Sequence, residues 1–488
     1  MDLLLPLLLV TPLAAIVTLV TGAGRATGRV LLGSCAIAFA LALMLAGRVL
    51  NGGSVAGAGG WLHADALSAL VVCIITGVSL ACASYGTHYM AAVVSHDRAD
   101  ARWAPGRYEA LYLALVACML VAALADNLGL LWISIEGSTL ASALLVGYYR
   151  RPGAVEAGWK YLLLCSVGIA LALFATVLLY YSAVHVFGEG AEGLRWTALR
   201  AEAARLDPRF VKLAFLFALV GYGAKAGMAP MHSWLPDAYT QAPTPVAALM
   251  STGLLATTLS ALLRFHAITA VCVGPAWSGG LLAFFGILSM LVAMPFMLVQ
   301  GEYKRLLAYS SIEHTGFVAL AIGLGTPLAV FGGMLHLLMQ SLAKTLAFLA
   351  GGTIGRAADS RRLDHWTGVL AVNPALGALF VGAGLGLAGL PPTGTFVSEW
   401  LALIGGFSSP RRTYAILALA TFAVVFAGLA FHWTRVALGR PRPNWNDRLA
   451  PASRVPLWSL LALLVLFGVW LPAPVRALVE QAARVVRP

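Results

Sequence analysis

Gly221-Tyr-Gly-Ala-Lys225-Ala-Gly-Met-Ala-Pro230-Met-His232-Ser-Trp-Leu-Pro-Asp237 closes an apolar run that begins near residue 210. It puts a lysine, two structure-breaking residue types and an acid where a membrane span should be continuous. A second stretch, Leu387-Ala-Gly-Leu-Pro-Pro392-Thr-Gly-Thr-Phe-Val-Ser-Glu399, repeats the pattern. In each an acid follows a proline by seven residues (Pro230 to Asp237, Pro392 to Glu399), and prolines and acids alike are offset by 162 residues. Interrupted spans in corresponding positions of two halves mark an internal repeat. Backbone can break at membrane depth only where protein or water satisfies the freed groups, so both breaks are expected to face a polar interior. The blander reading is two unrelated proline kinks.

The rest of the chain supplies the membrane. Of 488 residues, 60% are hydrophobic and only 11% charged, with mean hydropathy +0.86. A soluble globule needs more polar surface than that. Apolar runs of around twenty residues recur from end to end, each long enough to cross roughly 30 Å of hydrocarbon. No soluble domain of any size is expected. The formal net charge of +12 does not point to nucleic acid, because the arginines sit in short loops between apolar runs. The six cysteines (Cys35, Cys73, Cys82, Cys118, Cys165, Cys272) are scattered singly and form no CxxC or Cys/His cluster, which argues against disulfides, iron–sulfur centres and a metal site. The first segment lacks a basic leader region and reads as a retained helix.

Apolar runs predict helices at 3–21, 29–50, 65–92, 108–126, 128–148, 159–184, 210–232, 245–265, 277–300, 305–325, 328–352, 372–407, 413–437 and 455–475. This is an all-α integral membrane protein of about fourteen transmembrane helices. An even number puts both termini on one side. Alternate loops hold Arg25 and Arg29; Arg98, Arg102 and Arg107; Arg150, Arg151 and Lys160; Lys304 and Arg305; Arg356, Arg361 and Arg362; and the arginines from 435 to 454. The positive-inside rule places those loops in the cytoplasm and both termini outside it, in a cell inner membrane.

Charge within a span costs roughly 2.5–3.5 kcal/mol on insertion scales. Four such residues stand out: Glu136, Lys225, Lys344 and Glu399. Together they would cost on the order of 10 kcal/mol facing lipid. They must point inward, pair or touch water. His336, Gln340 and Lys344 fall on one helical face, and His232, His314 and Glu313 add titratable groups near span ends or polar gaps. Any one of these could be a structural ion pair or an interhelical anchor. Spread over both halves, they read as a path on which burial and pairing bring Glu and Lys towards proton exchange near neutral pH. No P-loop, dinucleotide-binding glycine motif, HExxH or nucleophile elbow occurs. No cofactor is expected, and the driving force must be an ion gradient or a partner.

The stretch from Gly221 to Val246 resembles the signature of the antiporter-like proton-translocating subunits of respiratory complex I, multisubunit cation/proton antiporters and membrane-bound [NiFe] hydrogenases. Lys304-Arg-Leu-Leu-Ala-Tyr-Ser-Ser-Ile-Glu-His314, the stretch from His336 to Lys344, Gly389 to Glu399 and Trp61-Leu-His-Ala-Asp65 agree with it. The resemblance covers nearly the whole chain. It implies two inverted five-helix repeats, broken helices 7 and 12 at Pro230 and at Pro391 and Pro392, and a lateral proton path along the midplane. Glu136 corresponds to the family's fifth-helix acid and Lys225 to its seventh-helix lysine, which pair as a switch. Lys344 corresponds to the eleventh-helix lysine and Glu399 to the twelfth-helix charge. The chain departs from the family at Ala256, where some members carry an eighth-helix lysine, and at Gln340, the second position of an HxxxH pair. Ile135-Glu-Gly-Ser-Thr-Leu-Ala-Ser142 and Ser310-Ser-Ile-Glu-His314 are most similar to the hydrogenase-4 F-type component.

The expected organisation is N-terminal helices 1–3 over 1–107, a first repeat over 108–265, a second over 277–437 and a final helix over 455–475. The leading functional expectation is a proton-translocating subunit of a membrane-bound hydrogenase or complex I-like redox assembly. It would be non-catalytic itself, and partnered by other membrane-arm subunits and a peripheral [NiFe] hydrogenase-like and iron–sulfur module. The alternatives are a monovalent cation/proton antiporter subunit without redox partners, and a structural membrane arm that no longer conducts, for which Ala256 is the best support.

Overall fold

In a hydrocarbon layer every peptide group must find its partner within the protein, and a helix does this locally. The computed structural model describes residues 3–22, 25–96, 105–441 and 454–487; Arg98, Arg102 and residues 442–453 of the orientation argument lie outside these. Long helices dominate: α1 (Leu4–Thr21), α2 (Arg25–Gly52), α3 (Ala66–His96), α4 (Pro105–Leu124), α5 (Leu128–Val146) and α6 (Pro152–Phe187). A short α7 (Trp196–Ala201) precedes α8 (Pro208–Lys225) and α9 (Trp234–Gln241). Then α10 (Thr244–Leu249) runs through a π turn at Met250–Leu254 into α11 (Leu255–Cys272). Next come α12 (Pro275–Val299), α13 (Tyr303–Leu324), α14 (Pro327–Ala357), the short α15 (Val369–Val372), α16 (Pro374–Leu387), α17 (Gly394–Phe407), α18 (Arg412–Leu438), α19 (Val455–Val469) and α20 (Ala473–Val486).

The starts follow local chemistry. Asn127 caps α5 by accepting from the amides of Gly129 (2.9 Å) and Leu130 (3.1 Å), and Asp207 caps α8 through Arg209 N at 2.8 Å. Thr326 and Asn373 do the same for α14 and α16. Prolines at the first turns of α6, α8, α12, α14 and α16 forgo an amide hydrogen that a helix start leaves unused.

Among the described residues, eleven helices are long and apolar enough to cross a membrane, or twelve if α19 and α20, bent by 78°, count as one span. Fourteen apolar runs were expected. The difference lies where charge and breaks intervene: α8 carries Arg209, Lys212 and Lys225, and α9, α16 and α17 are short. The run expected over 210–232 stops as a helix at Lys225, the run over 372–407 is two helices, and Pro472 and Pro474 divide the run over 455–475. A small antiparallel hairpin, β1 (Val55–Gly57) and β2 (Leu62–Ala64) with Val55 opposite Ala64, was not expected.

The two breaks share one backbone pattern. Ala226 N donates to Tyr222 O and Met228 N to Gly223 O, and Ala388 N donates to Gly384 O and Leu390 N to Leu385 O, each bond displaced by 162 residues from its counterpart. Gly227 (φ 74°) and Gly389 (φ 58°) occupy the left-handed turn between them. This is the six-to-one closure that lets a helix stop without abandoning its last carbonyls, and it favours glycine at the turn. Side chains complete the first break: Ala229 N donates to Ser289 Oγ on α12 at 2.9 Å, and Trp234 Nε1 to Ala224 O at 2.8 Å.

Helices α12 and α13 approach through glycines. A Cβ on Gly286 would lie 2.5 Å from Leu320 N and 2.6 Å from Gly316 O. Gly286→Leu is expected to cost about 1–3 kcal/mol and to lower the detergent melting temperature. Gly33→Leu, where a Cβ meets nothing within 4 Å, leaves it unchanged. Equal melting temperatures for both variants would contradict this packing.

Candidate functional site

The first cluster is built by α5, α6 and α8. Lys225, the last residue of α8, is fully buried, so its ammonium needs partners from neighbouring helices. It donates to Thr139 Oγ1 on α5 and to Tyr161 OH on α6, the latter at 3.1 Å. The ammonium also stands 5.4 Å from the Tyr161 ring centroid. Ser142 holds the Tyr161 hydroxyl at 2.7 Å. Half-buried Glu136 accepts from Ser166 Oγ at 2.7 Å and from Thr139 Oγ1 at 3.3 Å. Glu136 and Lys225 thus share Thr139, whose hydroxyl accepts from the ammonium and has its single proton within reach of both Glu136 Oε2 and Ile135 O, each at 3.3 Å.

The second cluster is built by α13, α14 and α17. Lys344, also fully buried, donates to Ser310 Oγ (2.9 Å), Ser311 Oγ (3.2 Å) and Leu307 O (3.4 Å). Nearby His314 Nδ1 and His336 Nε2 lie 2.9 Å apart, and His336 Nδ1 is 3.0 Å from Ser398 Oγ. Ser398 gives its own proton to Thr395 O at 2.7 Å, so its oxygen must accept from His336 Nδ1–H. His336 Nε2 then accepts from His314 Nδ1–H, and the network assigns both tautomers. The remaining nitrogen, His314 Nε2, lies 3.5 Å from Glu313 Oε2, long for a hydrogen bond. The row is thus a hydrogen-bonded line from His314 through His336 to Ser398, with Glu313 at its open end.

Unmet polar atoms separate this row from ordinary structural pairs. Both Glu313 oxygens, His314 Nε2 and Glu399 Oε1 are buried without a hydrogen-bond partner, an arrangement that costs stability unless the groups change protonation or meet water. The other Glu399 oxygen packs against Gly389, where a Cβ would collide with it. His314, His336 and Glu399 each offer a ligand atom within 4.8 Å of the others and could hold a cation, but the two imidazoles are hydrogen-bonded to each other. By contrast, Asp65 and Arg264 form a buried ion pair at 3.1 Å that Ser68 completes and the Trp196 ring covers, and Asp126 is satisfied by Arg195 and Thr197. These pairs anchor helices.

His232 stands apart in the first break, half-buried with Nδ1 unpartnered. Between the clusters lies the α10–α11 helix, where Ala256 is fully buried. Ser251, Thr252, Thr257 and Thr258 surround that position along the helix and bond to its own carbonyls. Sequence reasoning identified the charges and missed the hydroxyls that hold them (Thr139, Tyr161, Ser166, Ser310, Ser311 and Ser398). A serine in an apolar run costs little and signals little. The available signal was position: Thr139 lies one turn from Glu136 and shares its face.

A bundle of this kind with lysines sealed inside is a multi-pass membrane protein. The family described as NADH:quinone oxidoreductase/Mrp antiporter, TM, matches residues 125–427, and the chain belongs to it. It is similar to the hydrogenase-4 component F homolog of Methylacidiphilum infernorum, with 40% identity over 365 residues, 75% of this chain and 76% of that one. A chain of the respiratory complex I of Thermus thermophilus superposes with TM-score 0.76 at 27% identity, covering 96% of this chain and 97% of that one. One from an archaeal membrane-bound sulfane sulfur reductase gives 0.86 at 23% identity, covering 99% and 97%, a likeness of fold.

The shared hydroxyl has a direct test. Thr139→Val keeps the shape and removes the link between Glu136 and Lys225; proton flux through the reconstituted protein should fall about tenfold or more, ~1.4 kcal/mol in barrier. Thr139→Ser should retain most of it. Unchanged flux in the valine variant would remove Thr139 from the path.

Proposed function

We propose that this chain is the proton-translocating subunit of a membrane-bound hydrogenase or complex I-like assembly, driven by electron transfer in partner chains. Protons would move along Glu136, Lys225, Lys344 and Glu399 with His314 and His336 as relays, and His232 at the first break would give access from one side. The observation that carries this reading is the pair of fully buried lysines, each held by neutral hydroxyls with no carboxylate among the described residues in hydrogen-bond contact. A lysine held so can lose its proton without stranding a counter-ion, which a transfer step requires and a structural ion pair forbids.

On this reading α8 with α9, and α16 with α17, are each one broken span, at Pro230 and at Pro391 and Pro392. With α19 and α20 as the last span, the chain has fourteen. The repeats run over 108–265 and 277–437, after N-terminal helices in 1–107 and before the final span, which begins at 455 and, as α19 and α20, runs to Val486 rather than to 475. The shared 162-residue displacement of the break hydrogen bonds supports the repeat. The chain would lie in the cytoplasmic membrane with both termini outside, beside other membrane-arm subunits and a peripheral hydrogenase-like, iron–sulfur module. The name of the 40%-identical relative favours the hydrogenase branch.

In vesicles carrying the intact assembly, Lys225→Ala is expected to abolish most redox-driven proton uptake while the assembly still forms. Undiminished uptake would refute the role of Lys225. Purification in mild detergent should bring down a nickel-containing large subunit and iron–sulfur chains. If only small antiporter-type membrane chains come with it, and it exchanges sodium for protons unaided, it is an antiporter subunit instead.

A further inference from the structure

A seam runs between the N-terminal and C-terminal helices, away from both clusters. It is lined by α2 from Leu32 to Leu50, by α3, by α19 from Val455 to Phe467 and by the start of α20, and its volume is about 740 Å³. The eighteen-residue advance along α2 corresponds to about 27 Å, close to the roughly 30 Å of a bilayer's hydrocarbon core. Among the described residues the lining is apolar apart from Ser84, Ser341 and Ser459, and holds no charged side chain. Gly47 faces it, and a Cβ there would meet nothing within 4 Å.

Volume and length decide what fits. About 740 Å³ spread along that length makes a long, narrow apolar groove. An extended hydrocarbon chain matches that shape and its apolar lining. Both mouths are basic. Arg29 lies one turn before Leu32 on the same face of α2, and Arg454 adjoins Val455. At the other end Arg48 follows Gly47 and Arg476 follows Val475. Arg29, Arg48 and Arg476 are exposed and Arg454 is half-buried. Guanidinium groups at the level of the headgroups favour phosphate.

We propose that this seam is a binding site for anionic phospholipid, with one acyl chain entering from each leaflet and a phosphate headgroup at each arginine-flanked mouth. Leu338, Ser341 and Leu342 of α14 form part of its wall, on the helix that carries His336 and Lys344. The lipid therefore braces the back of that helix and fills space that side chains leave open.

The test uses the purified assembly in mild detergent, with native mass spectrometry and lipid extraction on the wild type, on Gly47→Phe and on Arg29→Gln/Arg48→Gln. The wild type should retain anionic phospholipid, Gly47→Phe should lose at least one molecule per chain, and the arginine variant should retain less. Phosphatidylglycerol, but not phosphatidylcholine, should restore the melting temperature of the delipidated wild type. Equal lipid content in wild type and Gly47→Phe, retention of only zwitterionic lipid or of a quinone, or a partner's helix in the seam would each overturn the proposal. If Gly47→Phe fails to assemble, the arginine variant and the lipid add-back decide the matter.

Discussion

A lysine ammonium inside a bilayer has no solvent to satisfy it, and much of this chain's architecture answers that constraint. Lys225 sits at the end of a helix that stops inside the bundle, where Gly227 turns the backbone and Ser289 and Trp234 take up the loose polar groups. Around the ammonium, α5 contributes Thr139 and α6 contributes Tyr161. Three helices must keep their registers for one charge to be tolerated. The same condition recurs at Lys344, where α13 presents Ser310 and Ser311 to α14.

The two lysines are solvated by hydroxyls, and the distinction from ion pairing matters. A buried carboxylate against a buried guanidinium, as in Asp65 and Arg264, is stable because neither partner gives up its charge readily. A hydroxyl tolerates both protonation states of its neighbour and can itself pass a proton. Carboxylates are still present, but Glu136 is displaced from its lysine by the width of Thr139, and among the described residues both Glu313 oxygens and Glu399 Oε1 have no hydrogen-bond partner. The fold thus keeps its satisfied ion pairs, at Asp65 and Asp126, apart from the unsatisfied groups of the second cluster.

Much of this was legible from the residues. Lys225, Lys344, Glu136 and Glu399 are visible because nothing else explains charge in an apolar run, and the glycine–proline breaks because backbone in lipid cannot end freely. The 162-residue offset of Pro230 and Pro392 reappeared in the backbone hydrogen bonds. Boundaries within runs were less legible. Apolar composition continues past Val469, so the turn into α20 was hidden. Least visible were the partners. That Thr139 rather than direct contact links Glu136 to Lys225, and that Ser398 fixes the tautomer of His336, depends on how helices far apart in sequence are rotated against each other. A single sequence does not encode that rotation in any local pattern.

What remains between the clusters is the stretch of α10 and α11 around Ala256, where Ser251, Thr252, Thr257, Thr258 and Ser260 supply hydroxyls. A continuous path requires water there. A map of the intact assembly fine enough to show ordered water tests this most directly. The account predicts a file of waters running from Lys225 past Ala256 to Lys344. A dry, closely packed stretch between the two lysines would contradict it.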